Sequence, residues 1–238
     1  MITEYKINWA IPGNIGYFIS TNETGNSKGK YKHANFSNQV GEDSKNVESN
    51  IKELKTLHGL NDITFMNQTH SNTVLKVSKE YTHLDCDAMF TEDKTISCAV
   101  LTADCIPILV TESSGRMIGC IHAGWRGLQS KIIENFFSKF KSISKSNFRI
   151  LLGPCISAKN YEVSEEILFQ FSNYSERFRK NKSGNYYMDL RYIACDILNE
   201  LGITNVTISK SCTYNDNFYS YRKDKTTGRF VSLIWFKK

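Results

Sequence analysis

Hydrophobic positions along the chain alternate between short continuous runs and helical three-to-four spacings, a pattern that predicts strands interleaved with helices. Residues 8–21 read as an initial strand and turn, with Ile15, Tyr17, Phe18 and Ile19 as the apolar positions. Residues 22–41 are polar, carry Gly25, Gly29 and Gly41 and have no period, so they predict a long loop of the kind that often carries function. Val47, Ile51, Leu54 and Leu57 then recur at helical spacing behind a cap at Asp43 or Ser44, with Gly59 as the stop. Strands follow over 63–66, 73–77, 85–91, 95–101, 106–110 and 117–121, and Ser113-Ser114-Gly115 joins the last two as an antiparallel hairpin. One amphipathic helix after Arg126 turns Ile132, Ile133, Phe136, Phe137 and Phe140 inward. The remainder reads as a strand over 148–152, a helix behind Ser164, a polar and exposed excursion over 173–186, a helix from Asp189 to Gly202, and closing strands over 206–209 and 230–235. With no repeat and no linker, the simplest account is a single compact α/β domain (mixed α+β) over residues 1–238, with mixed sheets flanked by helices.

Composition changes this picture little. The chain has 238 residues, 40% hydrophobic and 23% charged, which is ordinary for a globular protein. The net charge of +6 is scattered, with no basic stripe interleaved with aromatics, so no nucleic-acid partner is expected; a positive balance suits small anionic ligands. No apolar run is long enough for a signal peptide or a membrane span, so no membrane partner is expected. Seven cysteines, an odd number without a C-x-x-C pair, read as free thiols in a reducing cytoplasm.

The candidate chemistry lies at strand ends. Of the five histidines, His58 falls at a helix C-terminus where a cation is favourable, and His33 and His83 fall in polar loops that predict solvation. His70 and His122 each close an apolar run beside small polar residues, in Asn67-Gln68-Thr69-His70 and in Ile121-His122-Ala123-Gly124. Cys105, after Asp104, stands at a third such corner. Two imidazoles and a thiolate suit zinc with a fourth position left open. The same residues also fit a Cys105 nucleophile with His122 as its base, or an inert packed thiol. A histidine–cysteine set can hold copper as well, but five histidines with no H-x-H pair cannot furnish the several centres of multicopper oxidase chemistry. Arg126, Arg222 and Arg229 are candidate anion grips, and Trp125 is placed to stack on a ring or to close the core.

The segments NQTHSNTV, DCDAMFT, LTADCIPILV, IGCIHAGWRGL, LGPCIS, YEV, SCT and FYSYRKDKTTGRF, in this order, closely resemble the polyphenol oxidase or laccase-domain family, also called multicopper polyphenol oxidoreductases, which includes a bacterial peptidoglycan editing factor and purine nucleoside phosphorylases. The resemblance runs from about Gly16 to Trp235. It implies zinc held by His70, Cys105 and His122, with copper following from the family label alone. It further implies phosphorolysis of adenosine, inosine or methylthioadenosine, and deamination of adenosine, by a monomer or homodimer. Cys105, His122 and Asp104 are then the expected catalytic residues; from its adjacency to Cys105, Asp104 is expected to hydrogen-bond a ligand imidazole or shuttle a proton. Arg126, Arg222, Asn35 and Gln68 are expected at the substrate. Asn22 stands where the family has an arginine in its early loop, which shifts the expected anion grip to Arg126 or Arg222. The alternatives are a cysteine amidase or editing enzyme acting on peptidoglycan precursors, and a non-catalytic binding protein for a nucleotide or precursor.

Overall fold

A computed structural model describes residues 1–79 and 84–238; the expectation for His83 lies outside the described residues. The first half runs β1 (Ile15–Ile19), α1 (Ser44–His58), β2 (Thr64–Phe65), β3 (Val74–Lys76), β4 (Ala88–Thr91), β5 (Cys98–Thr102), β6 (Ile106–Glu112) and β7 (Ile118–Ala123). The second half runs α2 (Trp125–Gln129), α3 (Ile132–Ser138), β8 (Phe148–Leu152), β9 (Glu162–Val163), α4 (Glu165–Gln170), β10 (Phe178–Lys180), β11 (Tyr186–Met188), α5 (Leu190–Glu200), β12 (Val206–Ile208), α6 (Tyr221–Asp224) and β13 (Phe230–Phe236).

Two mixed sheets stack face to face, in strand orders β1-β13-β5-β2 and β12-β8-β6-β7-β4-β3. Strand alternation shows why. On β13, Phe230 and Ile234 point to the layer between the sheets, where Leu109 of β6 and Ile118 and Cys120 of β7 meet them. Val231, Leu233 and Trp235, one step out of phase, face Leu54 of α1. On β6, Ile106, Ile108 and Val110 face Phe136, Phe137 and Ile193 of α3 and α5. The layers are therefore helix, sheet, sheet, helix, and β6 and β13, covered on both faces, are nearly continuous apolar runs, interrupted by Ser232 in β13 and ending in Thr111 and Glu112 in β6.

The hairpin of β6 and β7 and the capped α1 stand where the pattern put them: Asp43 accepts from the Lys45 amide and Gly59 closes the helix at a φ of 64°. Two expectations are corrected. The amphipathic helix after Arg126 is two helices, broken at Lys131 (φ 68°), because the Ser130 hydroxyl donates back to the Arg126 and Gly127 carbonyls and competes with the helical ladder. The segment over 173–186 is not a plain excursion; β10 and β11 form a hairpin that joins β9 in a third small sheet, with Met188 buried and Phe178 packed beside it.

His58 is packed in the structure, but not as the favoured cation of a helix end. Its ring lies 4.8 Å from that of Phe18 and 4.7 Å from that of Trp235, and burial pushes its pKa down, so desolvation outweighs the favourable helix end. Its Nε2 is buried without a partner. A histidine with a lowered folded pKa leaves the folded state short of protons, so its cost grows as pH falls below the unfolded value of about 6.5. His58→Phe should therefore flatten the loss of stability between pH 7 and pH 5, as read from urea midpoints, and an unchanged slope would refute this.

Candidate metal centre

β5 leaves one sheet at Thr102 and re-enters the other as β6 at Ile106, so the connecting corner Ala103-Asp104-Cys105 bridges the two sheets. Beside it comes the corner after β2, because Gln68 clips both ends of its amide to Leu101 of β5, donating to its carbonyl (2.8 Å) and accepting from its N–H (2.9 Å). His70 follows two residues later in left-handed conformation (φ 61°). The third corner is the end of β7, which carries His122. The metal-ligating atoms of His70, Cys105 and His122 all lie within 4.8 Å of one another. Among the described residues they are the one such group of three or more histidine, cysteine or carboxylate side chains.

Asp87, the residue before β4, organises these corners. It is wholly buried and lies opposite His122, whose backbone N–H donates to the Asp87 carbonyl. Its carboxylate accepts from the amides of Thr69 (3.2 Å), His70 (3.0 Å) and Ser71 (2.6 Å), from the Ser71 hydroxyl (2.8 Å), and pairs with His122 Nδ1 (2.7 Å). Burial raises the carboxyl's pKa, but the His122 and Ser71 hydrogen bonds outweigh it and hold the group at about 2. With the proton of His122 on Nδ1 and turned to Asp87, Nε2 remains as the ligand atom, an arrangement typical of metal-bound histidine. Without a metal, burial pushes the Cys105 thiol up while the charges and hydrogen bonds of His122 and His70 pull it down further, to about 6. A thiolate is the state a metal requires.

The donor set fits zinc: two imidazoles and a thiolate, oriented from behind and, among the described residues, joined by no fourth side chain that could ligate. Gly124 leaves the room. A Cβ there would stand 2.8 Å from Cys105 Sγ and 3.3 Å from a His70 ring carbon, although the backbone (φ −83°, ψ 171°) accepts any residue. Gly124→Ala should keep the fold and weaken metal binding at this group by about tenfold or more, the scale on which displaced supporting groups act. Competition with a chromogenic chelator, alongside unchanged circular dichroism, would check it.

The other expected site residues are placed as follows. Asp104 is adjacent but bonds no imidazole: at φ 100° its carboxylate turns away to accept from the Thr213 hydroxyl (2.7 Å) and the Arg222 amide (2.6 Å). The imidazole partner is Asp87 instead. Arg222 donates to the Glu162 carbonyl (2.7 Å) and lies 5.1 Å over the Tyr161 ring. Arg126 is exposed and stacks 4.3 Å over Trp125. Burial and the charge of Cys105 raise the Tyr161 pKa, against the pull of Arg222, which puts this unforeseen tyrosine on the same wall. The amides of Asn35 and Gln68 make hydrogen bonds within the fold. Those of Gln68 are spent on Leu101, and Asn35 is buried, bonded to Ser37, Glu42 and the Arg229 amide. Asp87 and Tyr161 were missed; an aspartate heading the apolar run Ala88-Met89-Phe90 is a signal, since a buried carboxylate must be paired.

Residues 16–237 match the family described as multi-copper polyphenol oxidoreductase laccase. The chain belongs to this laccase-like family. Similar members are a purine nucleoside phosphorylase of Haemophilus influenzae, 35% identical over 97% of this chain and 98% of that one, and purine nucleoside phosphorylase YfiH of Escherichia coli K12, 33% identical over 95% and 96%. The crystal structure of Neisseria meningitidis protein NMB0706 superposes with a TM-score of 0.93 at 32% identity, covering 99% of each chain. The laccase-like fold is thus shared across its length. The family's label points to several coppers, whereas the described residues of this member bring together one three-donor group. No helix among them is long and apolar enough to cross a membrane.

Proposed function

We propose that this laccase-like protein is a zinc-dependent purine nucleoside phosphorylase acting on adenosine, inosine or methylthioadenosine, with adenosine deaminase activity, in a reducing cytoplasm. The observation that carries it is the trio His70, Cys105 and His122 backed by Asp87, in a chain whose relatives bear the phosphorylase name. Zinc held there would supply Lewis acidity.

The chain's own residues supply the rest. Asp87 fixes the tautomer and tilt of His122. Trp125 and Tyr161 offer flat faces beside the corner, and Arg126 and Arg222 sit over those faces to bind substrate. Asp104, buried and bonded to the start of α6, sets the distance between Arg222 and Cys105. In phosphorolysis a phosphate oxygen attacks the anomeric carbon, the glycosidic bond breaks, and its electron pair leaves with the purine; fixed positive groups that hold the two reactants together lower this barrier.

A nucleoside mixture incubated with and without phosphate and read by mass spectrometry tests the reaction class. Free base with ribose 1-phosphate, formed only with phosphate, is expected; no turnover of any nucleoside would overturn it. A second reading, a cysteine amidase, draws on the hydrogen-bonded line of Cys105, His122 and Asp87. Labelling of Cys105 by a thiol reagent during turnover, with metal retained, would favour that reading.

A further inference from the structure

We propose that Arg229 is the grip for the phosphate co-substrate, with Asn35 as the buried residue that aims it. This rests on the phosphorolytic reading. Arg229 immediately precedes β13, whose Phe230 pairs with Thr102 of β5. Because the strands are antiparallel, the residue before Phe230 and the residues after Thr102 leave the sheet at the same end, so Arg229 arrives at the Asp104-Cys105 corner.

Three observations fit Arg229 to this role. First, among the described residues no carboxylate lies within ion-pair distance of its guanidinium, while the ion pairs that exist involve other groups. Its Nη1 donates to the Thr227 (3.2 Å) and Gly228 (3.0 Å) carbonyls of its own turn, leaving Nε and Nη2 without an acceptor among the described residues. Arg222 and Arg126 likewise have no carboxylate partner among the described residues; Arg222 Nη1 donates to the Glu162 carbonyl, and Arg126 is exposed to screening water. Second, burial pulls the Arg229 pKa down, with Cys105 and Asp104 as the nearby charges that support the cation. A half-buried cation without a bonded anion is costly, and a bound oxyanion offsets that cost.

Third, the turn is built rather than loose. Asn35 Oδ1 accepts from the Arg229 amide (2.8 Å), and the Asn35 carbonyl accepts from Asn50 of α1 (2.8 Å). Gly228 fits against Tyr219 and Asn35, where a Cβ would stand 2.7 Å and 2.9 Å from them. The buried knot fixes the backbone of the turn, and the Thr227 and Gly228 carbonyls of that turn hold the guanidinium, a defined pose of the kind that forked recognition of phosphate requires.

The step balances without any further reactant. Hydrogen phosphate, forked by Arg229, forms the C1′–O bond as the C1′–N bond breaks; the purine takes the electron pair and the proton that phosphate gives up.

The test is Arg229→Gln beside Arg229→Lys, with zinc content and circular dichroism measured on each. Expected is a KM for inorganic phosphate raised about tenfold to a hundredfold in Arg229→Gln, with nucleoside KM within about twofold and zinc unchanged; one lost charged hydrogen bond is worth this much. Arg229→Lys, which keeps charge and loses the fork, should fall between. An unchanged phosphate KM in either folded variant overturns the proposal. Should the wild-type protein turn over no nucleoside with phosphate, the phosphorolytic reading fails separately. Calorimetric titration with inorganic phosphate then decides Arg229 alone: binding lost in Arg229→Gln supports it, and equal binding overturns it.

Discussion

Cys105→Ala should yield a folded protein that has lost its zinc and, with it, nucleoside phosphorolysis. Wild-type protein should carry about one zinc per chain, and the variant well under a tenth of that, since two imidazoles alone do not make a three-ligand site. The sulfur is the only soft donor in the trio and sits at a corner where the chain passes from one sheet to the other. Its removal deletes few packing contacts, so the thermal midpoint should fall mainly by the share that metal binding contributes. Elemental analysis together with a phosphate-dependent assay reads both quantities. A variant with full activity and no metal would sink the zinc mechanism and leave the fold untouched.

Asp87→Ala should be the most damaging single truncation in the molecule. It strands the amides of Thr69, His70 and Ser71, the Ser71 hydroxyl and His122 Nδ1, all of which the carboxylate now satisfies. At ~1–3 kcal/mol for each buried donor left unpaired, a loss of at least ~3 kcal/mol is expected even if some donors find water. Zinc affinity should fall about 10–100-fold as the His122 ring loses its orientation. Urea titration and chelator competition measure the two effects. The sign of the pH dependence follows from the depressed carboxyl. Held at about 2 in the fold and near about 3.9 in an unfolded chain, Asp87 contributes fully above that upper value and progressively less as pH falls toward 2. The variant should lose that acid limb, and a variant as stable as wild type at pH 7 would refute the role.

The difference between Asp87 and Asp104 shows what the sequence made legible. His70, Cys105 and His122 could be picked out because each ends an apolar run on a small polar corner, and the resemblance named the same three. Asp104 was given the imidazole by adjacency to Cys105. Adjacency in sequence fails at a residue with positive φ, because that backbone sends the side chain away from its neighbour's. Asp87 lies far from His122 along the chain and meets it only through the antiparallel register of β4 and β7. The same holds for Arg229 and Asn35, which depend on β13 finding β5 and on the turn before it reaching the early loop. Local period located α1, the β6–β7 hairpin and α5; the break at Lys131 escaped it because apolar spacing continues across the break.

The strand order β1-β13-β5-β2 sets a timetable for the working site. β13 lies between two strands made long before it, so a chain still emerging from the ribosome holds β1 and β5 apart, each with an open edge facing where β13 will go. Until that strand threads in, the corner carrying Cys105 has no floor on one side and the Arg229 turn does not exist. The site is complete only once β13 has been made and inserted, and until then those two waiting strands are where a nascent chain is most exposed to pairing with the wrong partner.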